Sequence, residues 1–164
     1  MNNYIFVDLD ETLIHTLQPF FGDEPSKDAV KVKIPGEKED YDTILRQGAV
    51  YFLHELRARG KVYMLTAATS DYAAAMNAQF GFGFTSQDIY AREDIAAGNL
   101  DPDLFGKGNV YLYDNLPRHE NRSKINFLRA ISKEVNYIQV PAFYYNETAA
   151  FTHDTIKYLI DYVK

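Results

Sequence analysis

The chain has 164 residues, 46% of them hydrophobic, with a formal net charge of −6, a size that suits one domain with a substantial core. The acidic balance argues against a nucleic-acid backbone as main partner, which needs a dense field of Lys and Arg. Without cysteine, disulfides, thiolate catalysis and Cys-ligated zinc are excluded, so any metal must find oxygen or imidazole ligands.

The opening MNNYIFVDLD has no basic region before its short apolar run, and no stretch approaches the roughly 20 apolar residues of a membrane span. A soluble, cytoplasmic protein is expected. Residues 4–7 (YIFV), 62–65 (VYML) and 110–113 (VYLY) are unbroken apolar runs rich in β-branched and aromatic residues. Such runs mark strands buried on both faces, as in a parallel sheet covered by helices. Residues 88–90 and 136–140 are expected to add two more strands. Asp8, Thr66 and Asp114 follow the three longer runs directly. Open α/β sheets bind ligands at the carboxyl ends of their strands, so these three residues at one edge point to a site.

Between residues 18 and 46, AVKVKI alternates apolar and basic residues and YDTILR follows, which predicts a β-hairpin insertion with one wet face. A helix is predicted over 49–60, with Val50, Leu53 and Leu56 inward and Gly60 as its stop. A second spans 70–81, capped by Ser70 and ended by Gly81. A third spans 152–163, capped by Thr152, with Ile156, Leu159, Ile160 and Val163 inward. Residues 117–135 read as loop then helix, with Arg118, Arg122, Lys124, Arg129 and Lys133 on a solvated basic face. The expected fold is α/β: a Rossmann-like three-layer sandwich with a central parallel sheet, the hairpin insertion and no large cap, forming one domain over 1–164.

The stretch FVDLDETL crowds Asp8, Asp10 and Glu11 behind a strand. Ionised side by side, such carboxylates need a cation or a shared proton. Magnesium suits them, because it takes oxygen ligands from one or two carboxylates together with phosphate and water. One carboxylate can then face phosphorus while a second gives a proton to the departing alkoxide. His15 reads as structural, and Phe143, Tyr144 and Tyr145 as core or rim packing.

DLDETL resembles the first motif of the haloacid dehalogenase superfamily of phosphotransferases, with Asp8, Asp10 and Thr12 in its Asp-x-Asp-x-Thr pattern. Thr66 in MLTAA is similar to the second motif, and Asp114-Asn115 in YLYDN to the fourth. The wider series DLDETLIHT, ILRQGAVYFLHEL, MLTAATSDYA, YARED and YDNLP resembles the phosphatases of the RNA polymerase II carboxy-terminal tail. The resemblance implies that Asp8 is the nucleophile, Asp10 the acid and base, and Thr66 a phosphate-oxygen ligand. It implies Mg2+ held by Asp8, the Asp10 backbone carbonyl, Asp114 and Asn115. Thr12, which is expected to order the loop, Arg46 and Ala67 complete the substrate surroundings; for Arg46 a surface ion pair is an equal alternative. Glu11 is expected to turn away.

The third-motif Lys has no counterpart, since LDPDL stands where the family reads Val-Lys-Asp-Leu. Lys107 precedes strand 110–113, and five residues of strand put it roughly 17 Å from the catalytic end. Arg92 follows strand 88–90 at that end and is preferred. The expected activity is phosphomonoester hydrolysis on phosphoserine or phosphothreonine protein segments. Small-molecule, nucleotide or polynucleotide 3′-phosphates are an alternative, and a catalytically weak phosphate-binding regulatory module is a reading of another class.

Overall fold

The computed structural model describes residues 2–144 and 150–164; Tyr145 lies outside them. Five parallel strands form the central sheet: β1 (Asn2–Val7), β5 (Lys61–Leu65), β6 (Ile89–Tyr90), β7 (Gly108–Asp114) and β8 (Val135–Gln139). Their spatial order is β6-β5-β1-β7-β8, with β1 at the centre. Both faces of the sheet are covered, which is why these strands read as unbroken apolar runs. Ile5, Val7, Val62, Met64, Tyr111 and Tyr113 face one core cluster. Their neighbours Tyr4, Phe6, Tyr63, Leu65, Val110 and Leu112 face another.

The first cluster is closed by α1 (Ala49–Arg57), α2 (Ser70–Phe80) and α5 (His153–Ile160). On the second face, α4 (Arg122–Leu128) contributes Ile125, Phe127 and Leu128, and α3 (Arg92–Ala97) contributes Ile95. The result is the expected Rossmann-like three-layer arrangement. No described helix is long and apolar enough to cross a membrane.

Three local expectations shift. The hairpin is part of a larger unit: β3 (Val30–Val32) pairs antiparallel with β4 (Tyr41–Leu45), and β2 (Ile14–Thr16) pairs with the other edge of β4. A three-stranded sheet therefore begins directly after the acidic loop, and His15 lies in a strand. In α1 the buried residues are Ala49, Phe52, Leu53 and Leu56, while Val50 is exposed. That stripe follows i, i+3, i+4, i+7 from Ala49, and Val50 falls one step of about 100° outside it. Helix α2 is capped by Thr69, whose side chain accepts from the Tyr72 N–H at 3.3 Å, so Ser70 is already helical. Gly81, in the left-handed region at φ 65, ends it as expected.

Candidate active site

The carboxyl ends of β1, β5 and β7 meet at one edge of the sheet. Val7 is in register with Met64 and with Tyr113, so Asp8, Thr66 and Asp114 emerge side by side. The loop after Asp8 is tied back on itself: the Leu9 carbonyl accepts from the Leu13 N–H at 2.8 Å, and Glu11 adopts a left-handed conformation at φ 60. A non-glycine residue held there is uncommon and costs conformational energy. The turn brings Thr12 under Asp8, and its hydroxyl donates to Asp8 Oδ2 at 3.0 Å.

Asn115 closes the loop from the β7 side. One branch of its amide lies 2.8 Å from Asp8 Oδ2 and 3.2 Å from the Asp10 carbonyl oxygen. With nitrogen inward, the amide donates to both. With oxygen inward, three oxygens converge, an arrangement that a cation satisfies. Among the described residues no cluster of three His, Asp or Glu side chains surrounds a metal position; the donors here include a backbone carbonyl and an amide.

Below these oxygens lies Lys124, which the basic-face reading of residues 118–133 misplaced. Its ammonium donates to Asp8 Oδ1 at 2.8 Å and to Asp114 Oδ2 at 2.7 Å, and the side chain is buried. Lys124 shares the inward stripe of α4 with Phe127 and Leu128, and a lysine three and four residues before core hydrophobics was the sequence signal for it. It occupies the position between the carboxylates for which Arg92 and Lys107 were the sequence candidates. Arg92 instead lies exposed at the mouth of the cleft, with Nε donating to the Ala67 carbonyl at 2.8 Å. Lys107 immediately precedes β7 and is therefore at the opposite end of that strand from Asp114.

Arg46 also lies deeper than either reading placed it. It is buried, its Nη1 donates to the carbonyls of Pro141 at 2.6 Å and Thr12 at 3.2 Å, and its guanidinium stacks 3.8 Å from the Phe151 ring centroid. Burial lowers its pKa to about 10. Arg46 therefore braces the acidic loop from beneath. Ala67 is exposed beside Thr66, whose hydroxyl accepts from the Ala68 N–H at 3.1 Å.

The carboxyl edge opens into a cleft of about 410 Å3 between the three-stranded sheet and α2, lined by Asp10, Glu11, Tyr41, Tyr72 and Arg92 among others. Tyr72, unremarked in the sequence, donates to Asp10 Oδ1 at 2.7 Å and contacts the Thr16 hydroxyl at 2.6 Å. Glu11 turns toward His15, whose Nδ1 is 3.6 Å away and whose Nε2 is 2.9 Å from Asp23 Oδ2. This bears out a structural role for His15. Phe143 is buried against Ile44 and Tyr144 is exposed.

Burial dominates the electrostatics. It raises the pKa of Asp8 well above the usual carboxylate range, opposed by Lys124 and reinforced by Asp114. It pushes Asp10 to about 6, with the Tyr72 hydrogen bond opposing and Glu11 reinforcing. Burial works against the Lys124 ammonium too, but Asp8 and Asp114 outweigh it and its pKa is raised. Lys124 is a single ammonium beside three carboxyl groups, those of Asp8, Asp10 and Asp114, which leaves an excess of acid at the site. A divalent cation fits that excess.

Comparison with known proteins bears on the fold and the family. No curated protein matches the sequence. The solved structure of Fcp1, an essential RNA polymerase II CTD phosphatase, is similar over 99% of this chain at 16% identity and a TM-score of 0.59. A fission yeast Fcp1 variant bound to beryllium fluoride is similar over 98% of it at 14% identity and a TM-score of 0.56. The chain spans about half of each, 49% in both cases, and at these identities the likeness concerns the fold. The sequence pattern of the NLI interacting factor-like phosphatases matches residues 3–98, more than half of the chain, and the chain belongs to that family.

Proposed function

We propose that this protein is a magnesium-dependent phosphomonoester hydrolase working through an aspartyl-phosphate on Asp8. The observation that carries the reading is the charge arrangement at Asp8: one carboxylate oxygen held by Lys124, the other facing Thr12 and Asn115. A buried carboxylate so gripped is fixed in orientation, as an attacking group requires, and the Lys124 ammonium opposes the rise in its pKa that burial causes.

In the first step an Asp8 oxygen forms a bond to phosphorus as the bond to the leaving oxygen breaks, and Asp10 supplies that oxygen with a proton. In the second, Asp10 takes a proton from water, whose oxygen attacks phosphorus and releases the Asp8 carboxylate. A group raised to about 6 can serve in both directions near neutrality. Lys124 offsets charge on Asp8 and Asp114, while Thr66 borders the phosphate. Asp8, the Asp10 carbonyl and Asn115, with Asp114 behind them, would hold Mg2+. When bound, Mg2+ supplies positive charge to the phosphoryl oxygens.

A protein segment is the favoured substrate, because the cleft is an open trough between α2 and the three-stranded sheet rather than a closed chamber. The test is hydrolysis of p-nitrophenyl phosphate and of a panel of phosphopeptides, nucleotides and 3′-phosphorylated oligonucleotides. Expected are turnover with Mg2+, loss with a chelator, loss in Asp8→Asn and preference for phosphopeptides. Persistent turnover in Asp8→Asn refutes the nucleophile. Magnesium-dependent phosphopeptide binding without turnover makes the chain a phosphate-binding module instead.

A further inference from the structure

A second concavity, of about 430 Å3, lies on the outer side of α4 and is lined by Arg118, His119, Arg122, Ile125, Asn126 and Arg129. Arg122, Asn126 and Arg129 recur at helical spacing and share the exposed face, and the buried Ile125 forms the floor between them and the core. Lys124 is two residues from both Arg122 and Asn126, roughly 200° around the helix. The same short element thus turns one cation into the catalytic cluster and a row of others away from it.

This row is electrostatically unusual for a chain of net charge −6. None of the lining residues is acidic, and among the described residues none of the three arginines enters an ion pair. Two of the three forks are nonetheless held in place. Arg118 Nη1 donates to the Val135 carbonyl at 3.1 Å, with the guanidinium 5.9 Å from the Tyr137 ring, and Arg129 Nη1 donates to Asn126 Oδ1 at 3.1 Å. Like charges gathered around one hollow repel unless an anion joins them. The planar guanidinium fork matches phosphate oxygens in particular.

The hollow also discriminates among phosphate carriers. It offers no Phe, Tyr or Trp on which a base could stack, and the acidic chain lacks the wide basic field of a polynucleotide track. Arg118 follows Asn115 by three residues, so its backbone stands within about 11 Å of the catalytic loop. A few residues of an extended segment bridge that distance.

We infer that this concavity is a second phosphate subsite, which takes a further phosphoryl group on a multiply phosphorylated protein segment whose first phosphate is at Asp8. The inference rests on the phosphatase reading above. It makes the enzyme selective for densely phosphorylated segments through binding rather than chemistry.

The experiment compares singly and doubly phosphorylated peptides of varied spacing, using wild type and Arg122→Ala/Arg129→Ala. Wild type is expected to show a KM about tenfold lower for the doubly phosphorylated peptide at its best spacing. In the double variant that preference falls to near unity, while p-nitrophenyl phosphate turnover, rates on the singly phosphorylated peptide and Tm are unchanged. Arg122→Lys/Arg129→Lys restores part of it. A preference that survives in the Ala variant, no preference in wild type, or tighter competition by an oligonucleotide overturns the subsite. Binding of the same peptides to Asp8→Asn, read by fluorescence anisotropy, separates the two readings. Arginine-dependent preference there, without turnover in wild type, sinks the phosphatase and leaves the subsite standing.

Discussion

Lys124 Nζ lies 2.7 Å from Asp114 Oδ2 and at the same time 2.8 Å from Asp8 Oδ1, so one buried ammonium serves two carboxylates. Removing one side of a buried pair leaves uncompensated charge, which costs about 3–5 kcal/mol. Lys124→Met is therefore expected to lose stability of that order in urea unfolding and to lower p-nitrophenyl phosphate turnover by about 100-fold or more. Adding Asp114→Asn should restore part of the stability and little of the activity. Arg92→Ala, at the exposed mouth of the cleft, is expected to cost about tenfold at most; the reverse ranking returns the third-motif role to Arg92.

Tyr72 joins Asp10 to Thr16 through one hydroxyl. Tyr72→Phe keeps the ring against Tyr41 and removes the bond that orients the acid. The expected result is kcat lower by about tenfold with KM little changed, since the lost bond serves the reacting geometry rather than substrate capture. A change confined to KM contradicts that role.

Gly48 caps α1 at φ 86, and a Cβ there would stand 2.4 Å from the Phe151 carbonyl oxygen. Gly48→Ala combines left-handed strain with a collision against backbone, and is expected to cost about 2 kcal/mol or more. Urea unfolding checks this; a neutral substitution means that the segment bearing Phe151 yields easily.

The His15 pKa is raised, first by Glu11, against burial and with help from Asp23. The folded state thus holds the proton more tightly than the unfolded chain. The resulting stability is fully present below the ordinary value of 6.5 and is lost as pH rises through the elevated folded value. The Asp23 pKa is lowered, chiefly by the Gln18 N–H, so its share is present above the ordinary 3.8 and is lost as pH falls through the lower folded value. His15→Gln should therefore be less stable than wild type by about 1 kcal/mol at about pH 5.5, a gap that closes toward about pH 8.5. An equal gap at both pH values shows that packing, not the proton, carries the contribution.

The central sheet was legible in the sequence because strands buried on both faces have no solvent side and so betray themselves as apolar runs ending in polar residues. That pattern determined Asp8, Thr66 and Asp114 at one edge, since parallel strands deliver their carboxyl ends together. The three-stranded sheet was half legible: the alternation of β3 is visible, but β2 is three residues long and takes its identity from pairing with β4. Arg46 and Lys124 were misread for one shared reason. A long cation reads as surface in sequence, and whether it is buried depends on acceptors brought from elsewhere: the Thr12 and Pro141 carbonyls for Arg46, Asp8 and Asp114 for Lys124. Local pattern thus determined which strands carry the acids. Tertiary structure alone decided which cation faces them, because that partnership spans 116 residues between Asp8 and Lys124 and exists only once the layers close.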